Sequence, residues 1–250
     1  GFTNESSSGT AYIVSSGSDL LVKVNVAASG ALTFTTDLST TRYIDLNDPA
    51  TPATAGANAG KNPLGIAMRT IAPGNNRAYV MNAISRNLSV VNLDTDSVER
   101  VIQLTSLPTP GTVDEQLLVG KEIFFSSRGN FDRPGGTTVA TSERLASEGW
   151  QNCASCHFAA LTDSTIWQFG SGPRKSVPLN GTWSPSNPDD QRILNYSAIF
   201  DEVQDFELNI RNASGPGPLQ TGLDPNHGLI FGSDINTAPA VVNAFVVANA

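Results

Sequence analysis

A strand pattern that recurs after 67 residues constrains the front of this chain more than any other feature. Ala11-Tyr12-Ile13-Val14 and Leu20-Leu21-Val22-Lys23-Val24-Asn25-Val26 are short runs of β-branched and aromatic residues, separated by the turn-forming cluster Ser15-Ser16-Gly17-Ser18. The pattern returns as Ala78-Tyr79-Val80-Met81 and Asn87-Leu88-Ser89-Val90-Val91-Asn92-Leu93. A turn at Asp94-Thr95-Asp96-Ser97 then leads to a strand over Val98-Glu99-Arg100-Val101-Ile102. Between the copies, the Pro- and Ala-rich stretch from Asp48 to Asn62 reads as a loop insertion. Nothing in these strand segments suggests catalysis.

From Leu107 onward the signals are those of helices and long loops. Thr112-Val113-Asp114-Glu115 fits a capping box, and Val113, Leu117, Gly120 and Phe124 follow at helical spacing, which predicts a helix to about Ser127. A short helix is expected over 142–148, leading to Cys153. The longest is expected over 188–212, with Asn187 as cap, Pro188 at the first position, Asp189 and Asp190 at its positive end, and Ile193, Tyr196, Phe200, Val203, Phe206 and Ile210 as its apolar stripe. The expected domains are therefore a β segment over 1–106 and a second domain over 107–250.

The second domain carries Cys153-Ala154-Ser155-Cys156-His157, the attachment pattern of a c-type haem. Two intervening residues let a tight turn present both sulfurs to one edge of a flat ring, and the adjacent histidine then reaches the iron at its centre. Other readings are a thioredoxin-like redox pair, a zinc site and a structural disulfide. The redox pair lacks a surrounding βαβ pattern. Zinc needs about four ligands, and the chain has two cysteines and two histidines. A disulfide across so short a spacing is strained. One covalent haem c is the expected cofactor, with Cys153, Cys156 and His157 holding it and His157 as proximal iron ligand. Both cysteines are then consumed.

Charge separates the two regions. Residues 1–105 hold 7 Lys or Arg against 8 Asp or Glu, whereas residues 106–250 hold 8 against 15, so nearly all of the net charge of −8 belongs to the second region. Such a surface disfavours nucleic acid and anionic membrane, and it suits a basic redox protein as partner. No stretch approaches the ~18 apolar residues of a membrane span. Low charge, 22 Gly and 15 Pro suit a loop-rich exported protein, and attachment of haem c takes place outside the cytoplasm, which gives a periplasmic or extracellular location as the expectation.

The repeated strands resemble blades of YVTN-type β-propellers, in which a strand like Ala78-Tyr79-Val80-Met81-Asn82 leads to one like Leu88-Ser89-Val90-Val91-Asn92. The insertion from Asp48 accounts for the excess of the repeat over the ~40–45 residues of a blade. A propeller closes with about four to eight blades, and this region has strands for roughly two. The implied blades are incomplete, to be completed by a missing segment of the same polypeptide or by neighbouring chains. A longer polypeptide is the preferred expectation, since residue 1 opens mid-repeat and Val241-Val242-Asn243-Ala244-Phe245-Val246-Val247 carries no terminal signal.

Val119-Gly120-Lys121-Glu122-Ile123-Phe124-Phe125-Ser126 is similar to the helix before the first haem in bacterial di-haem cytochrome c peroxidases and MauG-like proteins, a likeness covering roughly residues 115–250. It implies a mixed fold: incomplete propeller-like blades followed by a mainly α-helical, loop-rich cytochrome c domain. The family has two haem motifs and this chain one, so peroxidase chemistry would require a second haem beyond residue 250.

Function then depends on the second axial position of the iron. His227 is the other histidine of the chain and the candidate distal ligand; Met68 and Met81 sit in strand-like segments, where core packing accounts for them. Arg174 is a candidate partner for a haem propionate, and Trp150, Trp167 and Trp183 are candidates to cover the porphyrin. Asp201, Glu202 and Asp205 crowd one helical turn, where an arginine, a calcium ion or solvent would offset their repulsion. Glu202 and Glu207 are the weak catalytic candidates, as acid-base groups in peroxide cleavage. The leading expectation is a haem c protein in electron transfer. The alternatives are a peroxidase or related oxidase, and a structural or filament subunit that passes electrons between neighbours.

Overall fold

A computed structural model describes residues 9–34, 42–48, 50–125, 131–132, 138–139, 152–169, 172–180, 183–184 and 186–191. The chain divides into two compact units. One holds the strand region to Leu107 together with the segment 130–140, and the other holds the helix after Pro108 and the cysteine motif.

In the first unit, β1 (Gly9–Ser15), β2 (Leu20–Val26), β3 (Leu32–Thr33) and β4 (Tyr43–Asp45) form one antiparallel sheet, with β1 on one side of β2 and β3 and β4 on the other. The strands β5 (Pro63–Arg69), β6 (Arg77–Asn82), β7 (Asn87–Asn92) and β8 (Ser97–Gln103) form a four-stranded meander. The 67-residue repeat holds in the hairpin register: Ser15 pairs with Leu20 and Val14 with Leu21, as Asn82 pairs with Asn87 and Met81 with Leu88. It holds in the turns as well, where Asp19 and Arg86 both adopt positive φ, 57° and 54°.

Side chains alternate across each sheet, so register decides which of them meet. Tyr12, Leu21 and Ile44 of the first sheet share one buried cluster with Ala78, Val80, Val91 and Val98 of the second, and Leu46 completes it. A fully buried leucine such as Leu21 contributes about 2–3 kcal/mol by burial. Beside this core the sheets are tied by a polar link: the Tyr12 hydroxyl donates to Asp96 at 3.1 Å, and Lys23 Nζ donates to the other carboxylate oxygen at 2.5 Å. Burial, and then the Asp96 carboxylate, push the Tyr12 hydroxyl well above the ordinary tyrosine pKa.

The segment 46–62 is stitched down by hydrogen bonds. The Gly60 N–H donates to Leu46 O at 2.7 Å, Asn87 Nδ2 donates to Ala59 O at 3.0 Å, and the Lys61 N–H donates to Ser85 Oγ at 2.9 Å. Asp19 accepts the Asn62 N–H at 2.7 Å and Asn47 Nδ2 at 2.9 Å. Beneath the segment Asn82, Ser85, Asn87 and Ser89 form a buried network. Gly60 lies against it, and a Cβ there would stand 2.8 Å from both Asn82 Nδ2 and Ser89 Oγ.

In the second unit, α1 spans Val113–Phe125. Thr112 Oγ1 accepts the Glu115 N–H at 3.3 Å, as a capping box requires, but the Glu115 carboxylate takes the Gly111 N–H at 2.5 Å, because the Thr112 N–H already donates to Thr109 O. A hairpin of β9 (Phe131–Asp132) and β10 (Thr138–Val139) belongs to the first unit. In the second, α2 (Cys153–Cys156) is followed by a 3₁₀ turn over Phe158–Ala160, then by β11 (Ile166–Phe169) with β12 (Gly172–Lys175) and by β13 (Trp183–Ser184) with β14 (Asn187–Gln191).

This corrects the expected fold class. Among the described residues strand accounts for about 40% and helix for 14%, so the region after 107 is not a mainly α-helical cytochrome domain, and the two sheets do not form a closed propeller. The start of the expected helix over 188–212 is instead the strand β14, with Ser184 pairing with Asn187 and Trp183 with Gln191. Proline is tolerated at the edge of a two-stranded hairpin as well as at a helix start, and cross-strand pairing wins over Pro188 and two adjacent aspartates. The remainder of that helix and the one over 142–148 lie outside the described residues. Met68 packs partly against the core as expected, whereas Met81 points outward from β6 and is exposed.

Candidate functional site

The cysteine motif begins where α1 ends. Asn152 Nδ2 donates to the Phe125 carbonyl at 2.6 Å, satisfying one of the acceptors that a helix C-terminus leaves open. The same side chain caps α2: Asn152 Oδ1 accepts the Ser155 N–H at 2.9 Å while Ser155 Oγ accepts the Asn152 N–H at 3.1 Å, a reciprocal box. One helical turn thus holds Cys153 and Cys156, both half-buried and neither in a disulfide. Burial, and then the neighbouring Cys156, push the Cys153 thiol up to about 12.

His157 ends this turn, its N–H donating to Cys153 O at 2.9 Å. Its ring is fixed from the other side, with Nδ1 at 2.8 Å from the Val177 carbonyl. A carbonyl only accepts, so Nδ1 carries the proton and Nε2 keeps its lone pair. Burial lowers the His157 pKa, against smaller upward pulls from the Val177 and Leu161 backbone and from Asp163, so the ring is neutral near pH 7. A histidine with Nδ1–H on a backbone carbonyl is the usual form of an imidazole that ligates through Nε2.

The chain then doubles back. Ala159 and Ala160 both have positive φ, 52° and 60°, a conformation costing roughly 1–2 kcal/mol per non-glycine residue. That strain is offset by the bonds it allows: the Ala160 carbonyl accepts the N–H groups of Leu179 and Asn180, at 2.7 and 3.1 Å, and the Asp163 N–H donates to Cys156 O at 3.0 Å. Asp163 is the hub of the segment. Its carboxylate accepts the Trp167 indole N–H at 2.7 Å and the Ser176 hydroxyl at 2.9 Å. Desolvation pulls its pKa upward, but the Thr165 N–H, the Trp167 indole and the Ser176 hydroxyl outweigh it and hold the carboxyl below its ordinary range. Ser176 immediately precedes Val177, so this hub also positions the carbonyl that orients His157.

The structure brings five of the expected site residues into this segment: Cys153, Cys156, His157, Trp167 and Arg174. Trp167 and Arg174 stand directly opposite each other across β11 and β12. Arg174 is exposed, with Nη1 donating to Pro173 O. Phe158, Leu161 and Ile166 are 73%, 44% and 65% exposed, an unusual amount of bare apolar surface beside two half-buried thiols. Trp150, Glu202, Glu207 and His227, together with Asp201 and Asp205, lie outside the described residues, as does the Trp183 side chain. Met68 and Met81 belong to the other unit. Among the described residues no three His, Cys, Asp or Glu side chains gather as a metal site, and no helix is long and apolar enough to cross a membrane.

Asn152, Asp163 and Val177 were not singled out from sequence. Asn152 had a signal in the Asn-x-x-Ser spacing before the first cysteine; Val177 acts through its backbone and had none.

No family model, curated protein or solved structure matches this chain. The likeness to di-haem peroxidases and to propeller blades therefore rests on the motifs quoted above.

Proposed function

We propose that this chain binds one haem covalently through Cys153 and Cys156, with His157 as an iron ligand, and acts in electron transfer. The observation that carries this reading is the orientation of His157: a neutral ring whose Nδ1–H is engaged by Val177 O, leaving the Nε2 lone pair available directly after a single turn that holds two cysteines outside any disulfide. The residues present fit the group. Neither sulfur is in a disulfide, so both are available for thioether formation, and burial keeps the Cys153 thiol protonated. Phe158, Leu161 and Ile166 offer apolar surface for a flat macrocycle to cover. When bound, haem supplies one-electron chemistry.

The protein contributes ligand, orientation and cover. Asp163 fixes the Ser176–Val177 segment and so the His157 ring, and the same carboxylate holds the Trp167 indole. The thiol chemistry argues against a dithiol oxidoreductase, whose attacking cysteine has a lowered pKa, whereas that of Cys153 is raised. A location outside the cytoplasm and a basic redox partner belong to the same reading.

The test is expression with a cytochrome c maturation system, followed by intact mass and a pyridine haemochrome spectrum. One haem per chain, resistant to acid-acetone extraction, is expected. Cys153→Ala with Cys156→Ala should abolish it, and His157→Ala should retain attachment while changing the ferric spectrum. A chain of unmodified polypeptide mass after maturation refutes the proposal.

A further inference from the structure

Asp163 brings a negative charge to the segment that orients His157, and nothing described there cancels it. It is the one Asp or Glu among residues 152–180. Its carboxylate is engaged by three neutral donors: Oδ1 takes the Ser176 hydroxyl at 2.9 Å and the Thr165 N–H at 3.1 Å, and Oδ2 takes the Trp167 indole N–H at 2.7 Å. Neutral donors fix a carboxylate in place but leave its unit charge intact. Among the described residues no Lys or Arg forms an ion pair with it, and Arg174 and Lys175 of the neighbouring strand are exposed.

The route from this carboxylate to the ring is short. Ser176 Oγ gives its proton to Asp163, so the Thr162 hydroxyl, 2.8 Å away, donates to Ser176 in turn. Ser176 is thereby gripped from two sides. The carbonyl of the next residue, Val177, takes the His157 Nδ1–H at 2.8 Å. From the main chain, the Asp163 N–H donates to Cys156 O at 3.0 Å, so one residue braces both the end of the thiol turn and the segment facing it. The carboxylate also reaches the ring through space: burial lowers the His157 pKa, and Asp163 is the charged group that pulls against it. A firm Nδ1–H bond makes Nε2 a stronger electron donor, and a stronger donor beside a fixed negative charge favours the more positive oxidation state of a ligated iron.

We propose that Asp163 is a positioning residue that holds the reduction potential of the haem down, by fixing the Nδ1–H bond of His157 through Ser176 and Val177 and by its uncancelled charge. The inference rests on the haem reading and adds to it the group that tunes the iron.

Two measurements at neutral pH test it. Spectroelectrochemical titration of the matured protein reads the potential, and NMR exchange of the His157 ring N–H in the haem-free chain reads the tie without haem. Asp163→Asn, which keeps the shape and removes the charge, is expected to raise the midpoint potential and to speed the ring exchange several-fold. Ser176→Ala leaves the charge and cuts the link. It should speed the exchange as well and raise the potential by less. A matured Asp163→Asn protein with the wild-type potential overturns the proposal, as does a Ser176→Ala chain whose ring N–H exchanges like wild type. A shift in Ser176→Ala as large as that in Asp163→Asn overturns the role given to the charge. Should Asp163→Asn fail to fold, Ser176→Ala decides alone, and an unchanged potential there refutes the tie. Failure of the haem reading shows separately, as a chain of unmodified mass, and the haem-free exchange then still decides whether Asp163 governs the ring.

Discussion

His157 and Asp163 respond to acid at different points. The folded pKa of His157 is lowered by burial, so below the ordinary histidine value of about 6.5 the unfolded chain takes up a proton that the folded one refuses, and stability is lost as pH falls. The Asp163 carboxyl is also held low, and its contribution is present above the ordinary carboxylate range and lost as pH falls through it. The haem-free chain should therefore show two acid steps in the exchange protection of the Trp167 indole N–H, followed by NMR. Asp163→Asn should remove the lower step and leave the upper. At Gly60 the constraint is space: Gly60→Ala pushes a methyl into Asn82 and Ser89 and should destabilise by about 1–3 kcal/mol in urea unfolding. The cysteines and the histidine were legible because the motif fixes spacing. Asp163 was not, since an aspartate gathering an indole and a hydroxyl leaves no periodic trace.

The elements differ in how openly their sequences announce them. The strands of the first unit were legible because period-2 runs and turn clusters coincide, and both hairpins keep the register their repeat implies. The start of α1 was legible through Thr112, and Thr112→Ala should cost about 1 kcal/mol, read as faster exchange of the first-turn amides. The hairpin of β11 and β12 carries a local signal of its own, the β-prone run Ile166-Trp167-Gln168-Phe169 bounded by Gly170-Ser171-Gly172. At β14 the helix-start signals at Asn187 and Pro188 are equally compatible with an edge strand, and local preference alone does not choose between them. Between the sheets, removing the Asp96 carboxylate leaves the Tyr12 hydroxyl and Lys23 without it. Asp96→Ala should cost about 1–3 kcal/mol, and a double-mutant cycle with Tyr12→Phe should return a coupling energy clearly above zero.

At the scale of the molecule, the runs Ile13-Val14 and Leu20-Leu21-Val22 put apolar residues on both faces of one strand pair, a pattern that period-2 reading treats as ambiguous. Register resolves it by giving Leu21 to the shared core, and Leu21→Ala should lower stability by about 2–5 kcal/mol in chemical denaturation, a loss set by how far the cavity collapses. The segment from Asp48 to Asn62 reads from sequence as an interruption between repeats, and loop entropy alone makes its length almost indifferent. Its hydrogen bonds say otherwise. Excising residues 50–60 would strip the Asn87 amide of Ala59 O and the Leu46 carbonyl of the Gly60 N–H, at roughly 1–3 kcal/mol for each buried polar group left dry. Anyone trimming the chain to a minimal repeat would thus find that its least regular stretch is the one it cannot spare.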